Sequence, residues 1–338
     1  MFVWIRVFGD SEISVRLPPL ICGLATIVLT ARLARDYGFP SAGIVTAFVL
    51  AASPAHIWYS QEARPYSLLM LLVVLLALTF HRVRKTGAPR WLTLFTLLAP
   101  CAVMTHYYAM AYIGMFALLS LPDRRIRARM IGAAALSVVV LVLFVALKSA
   151  LGSLATQAPY LHGFGITELW RLLFEWFIIG GTLGDPAARA IAVQLAILAA
   201  QLLFAALAIR GLLVADAPGL AGSRRLDFSR RLELATLLLV LPAALLILGL
   251  LGRDKFYIER SALPALPFFA IAIGVGAASL RRPAWRGLSG AVIGALAAVV
   301  VVNYLAKLDQ RTIYKPNADW RSAAPWLRAE RERAGRPL

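Results

Sequence analysis

The chain has 338 residues, of which 60% are hydrophobic and 15% are charged. A soluble globular protein has about 45–50% apolar and about 25% charged residues, so this composition excludes a soluble enzyme and predicts an all-α polytopic membrane protein. The net charge of +18 would suit nucleic acid. However, the basic residues follow alternate loops and form no groove-like cluster, so no nucleic-acid partner is predicted.

A helix needs about 20 mostly apolar residues to cross a bilayer, and fewer if its ends are wet. Ten segments meet this description and are predicted to span the membrane: Arg16–Ala34, Ser41–Ile57, Tyr66–Phe80, Trp91–Thr105, Tyr107–Leu121, Met130–Leu147, Arg189–Ile209, Leu232–Leu251, Ser261–Leu280 and Gly287–Ala306. Between the sixth and seventh lies Ile166–Phe177, which has charges on one helical face and Leu, Trp and Phe elsewhere. This pattern predicts an amphipathic helix in the membrane interface, with a buried connector as the alternative.

Basic residues concentrate in every second loop. These loops hold Arg32, Arg35, Arg82, Arg84, Lys85, Arg90, Arg124, Arg125, Arg127, Arg129, Arg210, Arg224, Arg225, Arg230, Arg231, Arg281, Arg282 and Arg286. The positive-inside rule places them in the cytoplasm and predicts a multi-pass protein of a bacterial inner membrane. The other loops, with both termini, are then extracytoplasmic, and we expect a first span upstream of Met1. We divide the chain into a transmembrane domain, 1–306, and an extracytoplasmic segment, 307–338.

The loop His56–Tyr66 carries an acid and a base between two apolar runs. An ionised Glu or Arg at the centre of a bilayer costs about 2.5–3.5 kcal/mol or more, so Glu62 and Arg64 are predicted to lie at a membrane surface or in a wet cavity. Groups of this kind commonly handle a substrate. We therefore expect the functional site here, and the histidines and cysteines show no metal-ligand spacing.

Several short motifs closely resemble the bacterial membrane glycosyltransferases of the dolichyl-phosphate-mannose protein mannosyltransferase type, a superfamily that includes the aminoarabinose transferases of lipid A. The motifs are Phe8-Gly9-Asp10-Ser11-Glu12, Arg16-Leu17-Pro18, Ser53-Pro54, Tyr59-Ser60-Gln61-Glu62-Ala63-Arg64-Pro65-Tyr66, Thr105-His106-Tyr107-Tyr108, Tyr257-Ile258-Glu259-Arg260 and Trp320-Arg321-Ser322-Ala323-Ala324. The resemblance implies a C-type glycosyltransferase architecture. It further implies a polyprenyl-phosphate sugar donor from the bilayer, an extracytoplasmic acceptor, and inversion at the sugar.

The resemblance also implies that the general base is a carboxylate in the first outer loop, ahead of the Phe8-Gly9 stretch. That loop and the first span are not present in this sequence. Asp10 and Glu12 are the acids nearest to this position, and we do not expect either of them to replace the base. We expect the chain as given to bind the lipid phosphate and to turn over poorly.

The remaining site residues are assigned by chemistry. Glu62 orients the acceptor or holds a divalent cation, which is left open as a cofactor, and its alternative is an interfacial pair with Arg64. Arg64 suits phosphate because its guanidinium binds in a bidentate way, and its alternative is a side chain reaching to the interface. Predicted substrate-binding residues are Arg64, Tyr59, Tyr66, His106, Lys255, Tyr257 and Arg260, although interfacial belts also enrich aromatic residues.

Two rival functions remain. A secondary transporter would need acids within its spans, and Glu62 is the acid that the sequence places nearest to one, at its edge. A non-catalytic accessory subunit of cell-envelope glycan assembly is the other rival, and the missing base favours it.

Overall fold

The computed structural model describes residues 2–9, 11–37, 40–150, 163–177, 191–214, 224–251 and 259–306. Within these ranges the chain forms helices and connecting turns, and no strand. The helices in chain order are α1 (Phe2–Phe8), α2 (Glu12–Asp36), α3 (Ala42–Ala52), α4 (Pro54–Tyr59), α5 (Tyr66–Thr86), α6 (Pro89–Thr105), α7 (Ala109–Ser120), α8 (Arg127–Ala150), α9 (Ile166–Trp170), α10 (Ile191–Leu213), α11 (Arg224–Leu250), α12 (Leu266–Ala278) and α13 (Pro283–Ala306). The predicted tail segment, 307–338, lies outside the described residues.

Each of the ten segments predicted to span the membrane is helical over most of its described length. The second segment is broken, because α3 ends at Ala52, Ser53 is extended (φ −67°, ψ 121°) and Pro54 begins α4. Proline disfavours helical backbone in the preceding residue and has no N–H to lose at the first helical position. The ninth segment begins as a 3₁₀ helix, Glu259–Ala265, before it continues as α12.

Within the part of the chain that the structure describes, five helical stretches have at least 18 residues and are apolar enough to cross a membrane: α2, α5, α8, residues Gln194–Leu213 of α10 and residues Leu232–Leu250 of α11. Four shorter apolar stretches have 10–17 residues: Ala42–Ala52, Ala109–Ser120, Ala262–Ala278 and Pro283–Val299. Only 17% of the most apolar window of α8 is buried, so most of an apolar helix faces outward, as it would towards lipid. The predicted all-α polytopic membrane fold is confirmed, and the number of ten spans stays a prediction.

Two helices form the centre of the bundle. In α5, 78% of the most apolar window is buried, and α12 buries every residue from Leu266 to Ala277. α5 packs on α2 and α6, and α12 packs on α3 and α10. At Gly211 of α10 and Gly276 of α12, an added Cβ would collide with the backbone of the opposite helix. Small residues allow two membrane helices to approach this closely. The resulting van der Waals packing holds the helices together, because the hydrophobic effect contributes little to helix association within lipid.

Gly9 and Ser11 lie just before the start of α2. Gly9 has a φ of +78°, a left-handed conformation that glycine adopts without strain. Ser11 is the N-cap, and its Oγ accepts the N–H of Ser14 at 3.2 Å. Glu12 pairs with Arg16 at 2.8 Å in the first turn, where its charge also complements the helix dipole. These contacts give the motif a structural role, and the expectation that Glu12 is not the base stays a prediction.

The predicted amphipathic stretch consists of α9 and a π-helical turn, Arg171–Trp176. Leu172 and Phe177 are each 1% exposed and pack against the bundle, whereas Ile166 is 73% exposed and Trp170 is 41% exposed. The stretch therefore has one face on the protein and apolar side chains on the outside. Its position in the membrane interface stays a prediction.

Contacts between distant helix ends agree with the alternation of basic loops. At one end of the bundle, which we name the basic end, Arg84 of α5 contacts Glu233 of α11. At the opposite end, the Glu62 end, Tyr66 contacts His106 and Arg260. Each contact joins helix ends that the predicted topology places on the same side. Which end faces the cytoplasm stays a prediction.

Candidate functional site

The Glu62 loop is a compact turn between α4 and α5. The N–H of Gln61 bonds to the carbonyl of Trp58 at 3.0 Å, and the N–H of Arg64 bonds to the carbonyl of Glu62 at 2.7 Å. Pro65 is the N-cap residue of α5, and its carbonyl accepts the N–H of Leu69 at 2.9 Å. These hydrogen bonds fix the backbone at both ends of the loop, so they also fix the positions from which its side chains extend.

Glu62 and Arg64 form an ion pair across the turn. Arg64 Nε lies 3.2 Å from Glu62 Oε1, with the Arg64 side chain 50% exposed and the Glu62 side chain 26% exposed. Glu62 Oε2 is buried and has no hydrogen-bond partner among the described residues. Buried polar atoms in folded proteins almost always have a partner, so an acceptor in this state is suited to a ligand or a water molecule.

Tyr66 connects three parts of the chain. Its ring packs edge-on against Tyr59 with centroids 5.3 Å apart, and it lies 6.1 Å from the ring of His106. The guanidinium carbon of Arg260 lies 5.8 Å from the same ring, and Arg260 also hydrogen-bonds to the Tyr66 side chain. The electrostatic influence of Glu62 reaches Tyr66 as well. Arg260 of the 3₁₀ helix Glu259–Ala265 therefore lies next to the Glu62 loop.

His106 ends α6 and is held in a neutral form. Its Nδ1 accepts the N–H of Tyr108 at 3.3 Å, so the proton of the neutral ring lies on Nε2. Burial, with the positive charge of Arg260, lowers the pKa of His106 to about 4. His106 is therefore uncharged at neutral pH. It can contribute a hydrogen bond or a ring surface, but no positive charge for an anion.

Three buried polar atoms of this region have no hydrogen-bond partner in the described part of the chain: His56 Nε2, Glu62 Oε2 and Ser67 Oγ. They fall within twelve consecutive residues around the turn. Such a concentration is uncommon in a protein interior, because an unsatisfied buried group costs about 1–3 kcal/mol. Polar ligands or ordered water molecules would satisfy these atoms.

The turn rests on a glycine of α2. A Cβ added to Gly23 would collide with Ser60 Oγ and would come within 3.6 Å of the His56 ring. Ser60 in turn donates to the carbonyl of His56 at 2.7 Å. Gly23 was not predicted as part of the site, since a glycine in an apolar helix carries no distinctive pattern. His56 and Ser60 belong to the loop where the site was expected, but neither was assigned a role.

The structure brings together most of the residues predicted to bind substrate. Tyr59, Tyr66, His106 and Arg260 are in contact, and the Glu62–Arg64 pair adjoins them. Lys255 and Tyr257 lie outside the described residues. Among the described residues, no group of three or more His, Cys, Asp and Glu side chains is placed to hold a metal ion. The roles of these residues stay predictions.

Residues 2–148 match the family model described as dolichyl-phosphate-mannose-protein mannosyltransferase. This segment is less than half of the 338 residues, and it contains the Glu62 loop and His106. No curated protein matches the chain significantly.

Two solved structures of ArnT from Cupriavidus metallidurans have a similar fold. The apo structure matches with a TM-score of 0.57 and 16% identity over 94% of this chain and 54% of the ArnT chain. The structure bound to undecaprenyl phosphate matches with a TM-score of 0.51 and 14% identity over 92% of this chain and 61% of the other. The present chain thus spans between 54% and 61% of the length of the solved chains that it matches.

At this identity the likeness to ArnT shows the fold, and the family match concerns the first part of the sequence. Together they confirm the resemblance that the motifs predicted. The chain has the fold of the C-type membrane glycosyltransferases, and its residues 2–148 carry the sequence pattern of the dolichyl-phosphate-mannose-protein mannosyltransferase family.

Proposed function

We propose that this protein is a membrane glycosyltransferase that moves a sugar from a polyprenyl-phosphate donor to an extracytoplasmic acceptor. The observation that carries the proposal is the cluster at the Glu62 end, where Arg260, Tyr66 and His106 meet beside the Glu62–Arg64 pair. The family match covers most of this cluster. One of the ArnT structures of similar fold is bound to undecaprenyl phosphate, which supports a donor of that class.

Arg64 and Arg260 bind the donor phosphate in this proposal. A guanidinium presents a planar fork of donors that matches phosphate oxygens, and it keeps its charge at any accessible pH. The two residues come from opposite parts of the sequence and meet at the same end of the bundle. Lys255 and Tyr257, predicted from sequence in the loop before Arg260, would add a further cation and a hydroxyl.

The aromatic residues form a wall for the sugar and the first part of the lipid. Tyr59 and Tyr66 pack edge to face, and His106 contacts both Tyr107 and Tyr108 with ring centroids 4.7 and 4.9 Å apart. Aromatic rings present a flat apolar surface with a polar edge, which suits the face of a sugar ring at a water–lipid boundary.

The reaction is an inverting displacement at the anomeric carbon. The acceptor hydroxyl loses its proton to a carboxylate base, its oxygen forms the new bond to the anomeric carbon, and the bond to the phosphate oxygen breaks. The polyprenyl phosphate leaves with that electron pair, and the arginines stabilise the added charge. Glu62 orients the acceptor hydroxyl, or a cation beside it, through the oxygen that has no partner among the described residues.

The Glu62 end faces away from the cytoplasm in a bacterial inner membrane, following the alternation of basic loops. The stretch of α9 and its π-helical turn lies in the interface at the same end and borders the donor. The exposed Ile166 and Trp170 support this placement, because apolar and tryptophan side chains favour the headgroup boundary.

One observation, a buried acid, favours a secondary transporter as the alternative function. Glu233 is buried beside His81 near the basic end, so the sequence-based view that Glu62 is the main acid near a span was incomplete. Buried acids of this kind serve proton pathways in many transporters. The cluster at the Glu62 end joins aromatic residues to two arginines, which favours a phosphate-linked substrate instead.

The proposal is tested with the protein in proteoliposomes and a radiolabelled polyprenyl-phosphate sugar. Slow transfer of label to an added envelope acceptor, with release of polyprenyl phosphate, is the expected result for the enzyme, in line with the poor turnover expected from the sequence. Uptake of free sugar without release of lipid phosphate would indicate a transporter. Binding of the donor without transfer, even with a partner protein added, would indicate an accessory subunit. Arg281→Ala, at the basic end, is the matched control and should leave transfer unchanged.

A further inference from the structure

A second group of ionisable residues lies at the basic end, far from the proposed site. Glu233 of α11 is 1% exposed. Its Oε1 accepts the hydroxyl of Tyr37 at 3.2 Å and lies 3.5 Å from Nδ1 of His81, and its Oε2 accepts Nη1 of Arg84 at 3.2 Å. The partners are distant in sequence, with separations of 149 residues for Arg84 and 196 for Tyr37.

The carboxylate of Glu233 is surrounded by one cationic and two polar side chains. Arg84 supplies the positive charge, Tyr37 donates its hydroxyl, and His81 places Nδ1 beside the same oxygen that accepts from Tyr37. His81 Nε2 is buried without a hydrogen-bond partner among the described residues, so the ring meets the rest of the cluster through Nδ1.

The cluster joins two parts of the molecule. Tyr37 follows α2, and His81 and Arg84 lie in α5, all within the segment that matches the family model. Glu233 lies in α11, outside that segment. Elsewhere α11 packs mainly on α7, on the 3₁₀ helix and on α12. The cluster is thus the polar attachment of α11 to α2 and α5.

We propose that Glu233 is a charged clamp that locks the basic end of α11 onto α2 and α5. A buried carboxylate is stable only while its cation and donors remain in place, so movement of α11 away from α5 would expose or strand the charge. Two helices joined by apolar side chains can shift along each other at little cost in free energy. The hydrogen bonds and ion pair of Glu233 form in only one alignment of α11 with α2 and α5. The clamp therefore restricts α11 to one position against the first half of the chain.

The test measures how often the clamp opens. Leu234, next to Glu233, is 2% exposed, so a Leu234→Cys side chain should react slowly with a maleimide in a Cys22→Ala, Cys101→Ala background. Glu233→Gln removes the charge and keeps the shape, and Arg84→Gln removes its partner. Each should accelerate labelling about tenfold or more, since breaking one partner of a buried pair is strongly destabilising.

The matched control is the neighbouring pair of Arg82 and Asp36, whose atoms are 3.3 Å apart and whose side chains are 22% and 18% exposed, against 1% for Glu233. This pair does not involve α11, and solvent reaches it more easily, so Asp36→Asn should change labelling little. A wild-type labelling rate in Glu233→Gln, or an equal acceleration in Asp36→Asn, would refute the clamp.

If Glu233→Gln fails to fold, the double variant Glu233→Met, Arg84→Met decides the question. Removing both charges together leaves no stranded ion, so the double variant should fold and should label more slowly than Arg84→Gln. Equal or faster labelling, or loss of folding in the double variant as well, would contradict the proposal.

Discussion

The two arginines of the Glu62 end are held differently. Arg64 is half exposed and paired with Glu62, so a phosphate that binds it must compete with a carboxylate. Arg260 is partly buried and lies against Tyr66, where solvent and salt screen its charge less. We therefore expect Arg260 to contribute more than Arg64 to the affinity for the donor. We expect Arg64 to bind the phosphate more tightly when Glu62 is engaged by its own ligand.

Variants of the Glu62–Arg64 pair test their roles in turnover. Removing one group that stabilises a developing anion commonly lowers the rate by about 10²–10³, so Arg64→Ala should lose that much sugar transfer. Arg64→Lys should recover only part of it, because an ammonium cannot form the bidentate fork. Glu62→Gln should also lower turnover. Full transfer in Arg64→Ala, with normal donor affinity, would show that the pair is an interfacial contact only.

His106 predicts a dependence of stability on pH. The unfolded chain takes up a proton near the ordinary pKa of 6.5, whereas the folded state resists protonation of His106 until about pH 4. The folded state therefore loses stability as the pH falls from about 6.5 to about 4. His106→Asn keeps an acceptor for the N–H of Tyr108 and cannot titrate. Thermal unfolding in detergent should show a smaller loss between pH 7 and pH 5 for His106→Asn than for the wild type, and an equal loss would contradict the assignment.

A sequence pattern singles out residues whose chemistry conflicts with their surroundings. Glu62 and Arg64 stand between two apolar runs, so their charge makes them candidates for a site, and their role stays a prediction. Gly23 and Ser60 match their surroundings, and their importance follows from a contact between α2 and the turn that no local pattern reveals. Glu233 is the second residue of the predicted span Leu232–Leu251, where charged residues are commonly exposed at the membrane surface. Its burial could therefore not be predicted from its position in the sequence.

At the scale of elements, the apolar length of each segment predicted where helices lie, because burial in lipid requires every backbone group to be bonded within the helix. The irregular parts were missed. The second segment breaks at Ser53, whose Oγ donates to the carbonyl of Phe177 at 2.6 Å and so ties the break to the π-helical turn. The interaction spans 124 residues, which a local hydrophobic pattern does not encode.

Gly23 gives an element-scale prediction about how α2 positions the Glu62 turn. Gly23→Ala adds a methyl group that must displace Ser60, and overpacking of this kind costs about 1–3 kcal/mol. We expect a lower melting temperature and reduced transfer, measured on the same preparation. Gly114→Ala in α7 is the control, since an added Cβ there meets nothing within 4 Å. Ser60→Gly combined with Gly23→Ala should restore part of the loss, and no difference between the two glycine variants would refute the account.

At the scale of the whole molecule, the topology is open to direct measurement. Arg281 is exposed at the basic end, and Ile166 is 73% exposed near the other. In a cysteine-free background, an impermeant maleimide added to intact cells should label Ile166→Cys and should label Arg281→Cys only after permeabilisation. The opposite pattern would invert the predicted orientation, and equal labelling of both would contradict the separation of the two ends.

The arrangement of the site could not be predicted from local sequence patterns alone. Tyr66 and Arg260 are nearly two hundred residues apart, and no periodicity relates them. Both were predicted to bind substrate from their chemistry and their predicted position in outer loops. Helix packing explains why they meet, because α5 contacts the 3₁₀ helix that carries Arg260. The loop with Lys255 and Tyr257 lies outside the described residues, so their membership of the cluster stays a prediction.

The central claim is that the Glu62 end binds a polyprenyl phosphate. Equilibrium binding of radiolabelled undecaprenyl phosphate to the protein in nanodiscs tests it most directly. We predict saturable binding to the wild type, a loss of affinity of about tenfold or more in Arg260→Ala, and unchanged affinity in Arg281→Ala, since a charge-assisted contact to phosphate is worth about 1.5–3 kcal/mol. Absence of saturable binding, or equal loss in the two arginine variants, would contradict the account.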